Sequence, residues 1–396
     1  MLTYNGKYNY IKIMIDSIEE ELVQKIYKML NHPAFKGTYM VGMPDAHEGA
    51  GAFVGFTMKF NDDTPIIPNI VGVDIDCGML AYNMGNIEID FEAFDKNIRR
   101  SIPSGFNVRS KIHSSISPIG VLAYEIGEVS KKLNLDERRV FKSLGTLGGG
   151  NHFIEVGEAP NNDKWVVIHT GSRNFGLQVA KYHQNKAKEL MKSTFQGDAY
   201  KDLEYLPRGM GAEEYFEDMK VAQEFASVNR LIILEEILRY MFFQEIKDKG
   251  IDTSWDYQRD KYIKTENMIQ SNHNYIDFKN KIIRKGATPA NEGQKVIIPF
   301  NMRDGIAICT GKGNSDWNFS APHGAGRILS RNKAKTQLCL EQFKDDMKGV
   351  YTTCVHQTTL DESPRAYKDK DMILDAIKDT VDVDFILKPL YNFKGY

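Results

Sequence analysis

Two periods of apolar residues run through the chain and divide it into strand-like and helix-like stretches. Tyr10 to Ile15 reads as a strand. Behind it, Ser17 with Glu20 forms a capping-box pattern, and Ile18, Leu22, Ile26 and Met29 make a helical stripe that ends near His32-Pro33. Further helices are predicted over Asp90–Arg100, Val121–Leu133, Glu213–Lys247 (ending at Gly250) and Lys370–Asp379. The Met and Phe residues of the 213–247 helix read as packing. The segment Asn267–Tyr275, which carries His273-Asn274, is also expected to be helical.

Val71, Val73 and Ile75 alternate as in a buried strand, Trp165–Ile168 is a continuous apolar strand, and Val296–Ile298 and Ile306–Cys309 flank a turn. No repeat, low-complexity tract or linker interrupts the pattern, so one domain is expected.

Several predicted strands run into residues that carry chemistry. The alternating stretch ends in Asp74-Ile75-Asp76-Cys77-Gly78, which offers a hard carboxylate and a soft thiolate to one place. That pairing suits zinc, iron or manganese better than calcium or magnesium, although a buried structural cysteine beside a turn aspartate has the same appearance. Met43-Pro44-Asp45-Ala46-His47-Glu48-Gly49-Ala50-Gly51 reads as a glycine-rich loop with ionisable groups, where Asp45 could serve turn chemistry alone.

Leu144–Val156 contains a glycine run followed at once by Asn151-His152. The run allows close backbone approach to a ligand, but it is not a P-loop, because no GK[ST] follows. On the strand beyond it, His152 and Ile154 would share one face, and Phe153 and Glu155 the other. The strand 165–168 delivers His169, and a Gly171-Ser172-Arg173 loop opens a helix near Gly176. His323 is followed by Gly324-Ala325-Gly326-Arg327 and is expected at a helix start, well placed to meet a phosphate.

Composition narrows the class. The 396 residues are 42% hydrophobic and carry 51 basic against 53 acidic side chains, a net charge of −2. No global basic field exists, so a nucleic-acid partner would need a local patch. Four cysteines without a CxxC pair argue against a disulfide framework or zinc ribbon, and for a reducing compartment. The N-terminus lacks a leader pattern, and Leu231–Leu234 is broken at once by Glu235 and Glu236. A cytoplasmic protein with no membrane partner is expected.

Taken together, the motifs resemble those of the RtcB family of RNA-splicing ligases. The matching pieces are Met43-Pro44-Asp45-x-His47, Gly72-x-Asp74-Ile75-x-Cys77-Gly78, Gly145-Thr146-Leu147-Gly148 with Gly150-Asn151-His152-Phe153-x-Glu155, and His169-x-Gly171-Ser172-Arg173. They continue with His273-Asn274, Arg284-Lys285-Gly286-Ala287-Thr288, His323-Gly324-Ala325-Gly326-Arg327, Ala366-Tyr367-Lys368 and Lys394-Gly395. All occur in family order from about residue 40 onward, which makes the set far more specific than any one motif.

The resemblance implies an α+β fold: a single domain over residues 1–396 with a mixed β-sheet core flanked by helices, a helical insertion at about 200–275, and a metal site at strand ends. It implies a GTP- and Mn²⁺-dependent ligase that joins RNA 3′-phosphate or 2′,3′-cyclic phosphate ends to 5′-hydroxyl ends. Cys77 would bridge two Mn²⁺ ions, with His152 and His169 completing one site and Asp74 and His273 the other. His323 would be the nucleophile that takes GMP from GTP, with Asp45 and Arg173 also in the catalytic set. Asn151, Glu155, Asn274, Pro299, Phe300, Asn301, Met302, Gly324, Ala325, Gly326 and Lys394 would line the guanylate site, with Tyr367 as a contact to the base.

The chain departs from the family pattern at several places. Asp76 stands for a usual Asn, Leu177 and Ile283 for usual His, Pro322 for a usual Cys and Asn301 for a usual Ser, while Tyr396 extends the end of a shorter chain. None removes a metal ligand or His323. They bear on RNA-end preference and point to RNA repair rather than tRNA splicing. Two other readings stand beside the ligase: a metal-dependent phosphodiesterase or phosphatase that would not need His323 or Lys394, and a non-catalytic RNA-binding relative. The full set of ligands counts against the last, because buried polar groups without a task are costly.

Overall fold

The computed structural model describes residues 1–115, 120–194, 200–249, 259 and 262–395. In chain order its strands are β1 (Leu2–Asn5), β2 (Tyr10–Ile13), β3 (Tyr39–His47), β4 (Val54–Lys59), β5 (Gly78–Gly85), β6 (Phe153–Glu158), β7 (Lys164–Thr170) and β8 (Met268–Asn272). They continue as β9 (Asn274–Asp277), β10 (Ile282–Lys285), β11 (Ala287–Pro289), β12 (Lys295–Asn301), β13 (Gly305–Gly311), β14 (Ser320–Pro322) and β15 (Val381–Lys394).

One six-stranded sheet runs β1-β2-β3-β4-β10-β9, with β2 and β3 parallel and its other neighbours antiparallel. A seven-stranded antiparallel sheet runs β12-β13-β15-β6-β7-β5-β8. Its two end strands curl toward each other, where the Ile297 amide donates to Ser271 Oγ across 3.5 Å. The fold is therefore α+β with a mixed-sheet core, as expected.

Burial on both faces explains the continuous apolar run of β7. Val166 and Ile168 join Ile154 and Val156 of β6 in a core with Phe94, Ile98, Ile233 and Ile237. Val167 faces the other way, with Phe153, Met79, Ala81 and Ile297. The first set comes from α2 (Phe91–Ser101) and α6 (Ala212–Lys249), which cover the sheet from outside. Asp90 caps α2 by accepting from the amides of Glu92 and Ala93, which starts that helix where the sequence placed it. No helix among the described residues is long and apolar enough to cross a membrane.

Several local expectations give way to the tertiary structure. Helix α1 (Glu20–Leu30) begins after Glu19 with no side-chain cap, so the Ser17/Glu20 capping box does not form. Residues 43–47 belong to β3 rather than to a loop: after an irregularity beyond Gly42 the ladder with β4 resumes at His47, opposite Val54. Residues 71–75 are not a strand. The chain turns there, Val73 is exposed, and β5 starts only at Gly78.

Residues 268–277 form β8 and β9 rather than a helix, with His273 at their junction. His323 follows β14 and does not begin a helix; the next helix, α7 (Arg331–Gln337), is capped by Ser330. The expected helix end at Gly250 and the terminal Tyr396 lie outside the described residues. The intervening helices α3 (Gly120–Lys132), α4 (Glu137–Ser143) and α5 (Arg173–Met191), with the later α8 (Leu340–Asp346) and α9 (Lys370–Ala376), complete the helical layer.

Candidate metal centre and nucleotide cavity

Strand ends from both sheets deliver the chemistry to one place. Asp74 and Cys77 lie on the turn just before β5, His152 just before β6, His169 near the end of β7, and His273 between β8 and β9. Asp45 sits on β3 and His323 directly after β14. Close approach is built into the backbone: a Cβ on Gly171 would clash with Asp74 Oδ1, and one on Gly148 with the Arg173 guanidinium.

Among the described residues, two overlapping groups have the spacing of a metal site: Asp74–Cys77–His152 and Cys77–His169–His273, with ligand atoms within 4.8 Å of one another. Cys77 Sγ lies 3.4 Å from His152 Nε2 and 3.3 Å from His169 Nε2. Ligand atoms at about 2.0–2.3 Å around a tetrahedral ion are about 3.5 Å apart, so the donors already have the spacing of a coordination shell. The closest contacts pair Asp74 with His152 and His169 with His273, whereas the family resemblance pairs them as His152–His169 and Asp74–His273. The thiolate is common to both arrangements.

Proton bookkeeping also leaves room for a cation. His152 Nδ1 donates to Leu147 O at 2.9 Å and His169 Nδ1 to Asn151 O at 3.2 Å, which leaves lone pairs on both Nε2 atoms. The His152 lone pair faces Asp74 Oδ2 at 2.9 Å, while His169 Nε2 lies 3.2 Å from His273 Nε2, which can donate to it. A lone pair facing a buried carboxylate repels it unless a proton or a metal ion lies between them.

Burial and the Asp74 charge push the Cys77 thiol well up, and a bound ion is what would draw off its proton. Burial, joined by neighbouring histidines, holds His169 and His273 well below the ordinary imidazole range and keeps them neutral. Burial raises Asp74, but a proton shared with His152, with help from Arg173, brings it below the ordinary value; a bound ion would take that proton's place. Arg173 Nη1 approaches His152 Nδ1 to 3.0 Å and supplies charge beside the cluster. These residues fit a metal site, with Cys77 common to both overlapping groups.

His323 lies between this cluster and a cavity. Its ring centroid is 4.7 Å from that of His273, and its Nδ1 donates to Asp45 Oδ2 at 2.7 Å. A carboxylate can only accept, so Nδ1 carries the proton and Nε2 keeps its lone pair. Asp45 is fully buried, and Lys368 Nζ holds its strand by donating to Pro44 O at 3.0 Å and Ala46 O at 3.1 Å. The ring of His47 stacks near His323, and burial holds its imidazole down at about 4.

The cavity encloses about 560 Å³ and is lined by Asn151, Glu155, Pro299, Phe300, Asn301, Met302, His323, Gly324, Ala325, Gly326, Tyr367 and Lys394. Asn274 is not among its lining residues. Its side chain accepts from the Gly286 amide at 2.8 Å and donates to Asp74 O at 3.3 Å, so it braces the ligand turn instead.

Two further residues shape the cavity, and neither stands out in the sequence. Asn392 on β15 donates to Glu155 Oε2 at 2.7 Å. Glu362 accepts from Lys394 Nζ at 2.8 Å, Tyr367 Oη at 2.8 Å and Arg331 Nη1 at 2.7 Å. The two acids behave oppositely. Burial pushes Glu155 up to about 8, whereas Lys394, Arg331 and Arg327 overcome burial and hold Glu362 at about 2. Glu155 Oε1 and Asn392 Oδ1 are both buried acceptors without partners.

A buried cluster of thiol, imidazoles and carboxylate that could hold metal, with one histidine between it and a cavity of about 560 Å³, defines a class: a protein with a candidate metal-dependent active site. Comparison with known proteins agrees. Residues 26–121 and 121–395 match the family described as tRNA-splicing ligase RtcB. The chain is 31% identical to the RNA-splicing ligase RtcB of Escherichia coli (strain K12), covering 96% of this chain and 95% of that protein. It is 28% identical to the tRNA-splicing ligase RtcB of Aeropyrum pernix and 29% identical to that of Nanoarchaeum equitans, each over 85% of this chain and 83% of the relative. This chain belongs to the RtcB ligase family.

Proposed function

We propose that the protein is a GTP- and Mn²⁺-dependent RNA ligase, one domain over residues 1–396, joining 3′-phosphate or 2′,3′-cyclic phosphate ends to 5′-hydroxyl ends. The observation that carries this reading is the position of His323: Nδ1 on Asp45, ring 4.7 Å from His273, and side chain in the cavity wall.

Asp74, Cys77, His152, His169 and His273 would hold two Mn²⁺ ions, which supply charge neutralisation at phosphate oxygens. His323 Nε2 attacks the α-phosphorus of GTP; a P–N bond forms, the bond to the bridging oxygen breaks, and pyrophosphate leaves. Asp45 keeps the Nδ1 proton and balances the positive charge that the ring acquires. An oxygen of the RNA 3′-phosphate then attacks the same phosphorus, the P–N bond breaks, and the lone pair returns to Nε2. The 5′-hydroxyl attacks the activated 3′-phosphate, loses its proton to solvent and expels GMP. A cyclic phosphate must first be opened by water.

The cavity chemistry supports guanine as the base. The unpartnered acceptors Glu155 Oε1 and Asn392 Oδ1 suit the adjacent N1–H and N2–H donors of guanine, whereas adenine offers an acceptor at N1. Arg173 and the glycine-run amides support phosphate binding.

The test is ligation of defined RNA ends. A 3′-phosphate or cyclic-phosphate strand and a 5′-hydroxyl strand should join with GTP and Mn²⁺, not with ATP or after chelation. Cleavage of the same RNAs without joining would favour the hydrolase reading and reject this one.

A further inference from the structure

We propose that Asn229 and Arg230, consecutive residues of α6, are the positioning residues of the metal centre, fixing the distances between its ligand-bearing segments. This rests on reading the five donors as a metal centre. The Arg230 side chain is fully buried. Its Nη1 donates to Asp76 O at 2.7 Å and Thr170 O at 3.0 Å; its Nη2 donates to Asp76 Oδ2 at 2.7 Å and Asn272 Oδ1 at 3.1 Å. Each residue so held is the immediate neighbour of a ligand: Asp76 of Cys77, Thr170 of His169, Asn272 of His273. One guanidinium thus ties together three segments that are distant in sequence.

Asn229 holds the fourth. Its Oδ1 accepts from the amides of Gly145 at 2.8 Å and Thr146 at 3.0 Å, and its Nδ2 donates to Thr146 O and Gly171 O, both at 3.1 Å. Thr146 precedes Leu147, whose carbonyl orients His152. Successive helix residues point about 100° apart, so two adjacent positions can reach different segments.

The geometry suits arginine specifically. Its planar fork spreads several donors over fixed directions, whereas a lysine ammonium concentrates three at one point. Asp76 adopts a left-handed backbone conformation with φ +54°, which a non-glycine residue holds only when its surroundings over-determine it. The Asp76 carboxylate also gives the buried guanidinium an ion-pair partner, with Nη2 and Oδ2 2.7 Å apart. Groups that orient ligands from behind commonly set metal affinity.

The test is ion binding by the full-length chain, titrated with Mn²⁺ alone and, separately, with Co²⁺, whose thiolate charge-transfer absorption reports directly on Cys77. Wild type should bind two Mn²⁺. Arg230→Lys should keep its far-UV circular dichroism yet bind Mn²⁺ about 10- to 100-fold more weakly, with a weaker or shifted cobalt–thiolate band. If Arg230→Lys does not fold, Asn272→Ala removes one acceptor and leaves the guanidinium in place. It should weaken Mn²⁺ binding about three- to tenfold, the scale of one hydrogen bond. Folded variants with wild-type Mn²⁺ affinity and an unaltered cobalt band would overturn the proposal while the metal-centre reading stands. A folded wild-type chain that binds neither ion would overturn both.

Discussion

Two neighbouring regions of this molecule treat buried polar atoms in opposite ways. Around Glu362, the carboxylate meets Lys394, Arg331 and Tyr367 and is held ionised down to about 2. Around Cys77 and Glu155, buried acceptors go unmet: Asp74 Oδ1, Glu155 Oε1 and Asn392 Oδ1 have no partner. A satisfied network is scaffold. Unsatisfied acceptors lining a cavity make it a candidate for a ligand's donors, because a buried acceptor without a donor is costly. On the proposed function, the difference separates the wall of the site from the surfaces that would receive ions and nucleotide.

The strongest break of that division is at the residue joining the two regions. His323→Ala should abolish covalent GMP labelling, a loss of about a thousandfold or more, while Mn²⁺ content stays at two; persistent labelling would identify another nucleophile. Next, Cys77→Ser should weaken both ions together, by about a hundredfold or more, since one thiolate serves both sites. Loss of a single ion by metal analysis would contradict the bridging role.

On the scaffold side, Glu362→Gln should leave metal content unchanged, raise the KM for GTP about tenfold and destabilise the fold by about 3 kcal/mol, because three cations lose their buried counter-charge. Chemical denaturation and steady-state kinetics would check the two effects separately, and an unchanged KM would place Glu362 outside nucleotide recognition.

The gentlest test uses pH. The ordinary glutamate value is 4.5 and the folded value of Glu155 is about 8, so between these values the folded state holds a proton that the unfolded state has released. This group's contribution to stability is therefore present below about 4.5 and lost as pH rises toward 8. A Glu155→Gln variant should lack that slope in thermal melts of the nucleotide-free protein. Guanine's N–H donors favour the ionised carboxylate, so GTP affinity should rise with pH to about 8 in wild type and stay flat in the variant. A wild-type affinity independent of pH would remove Glu155 from the base contact.

The same contrast explains what the sequence revealed. Asp74, Cys77, His152, His169, His273 and His323 each stand beside a glycine or a short turn signal, so their local context already suggests a site. Glu362, Asn392 and Arg230 do not, since their role is set by partners 32, 237 and 154 residues away. A buried arginine in an apolar helix looks in the sequence like any surface charge. Alternation misled at Val71-Val73-Ile75 because the chain turns there to present ligands, leaving Val73 exposed. At His273 the helical pattern lost to strand pairing, in which β8 and β9 join β5 and β10.

The central claim is that His323 is a nucleophile served by an ion centre on one side and a guanylate cavity on the other. Its most direct test is peptide mapping by mass spectrometry after incubating the full chain with GTP and Mn²⁺, with acid-labile adducts preserved. The account predicts one GMP on the peptide containing His323, absent when Mn²⁺ is chelated. GMP on another residue, or none on a chain shown to hold both ions, would contradict it.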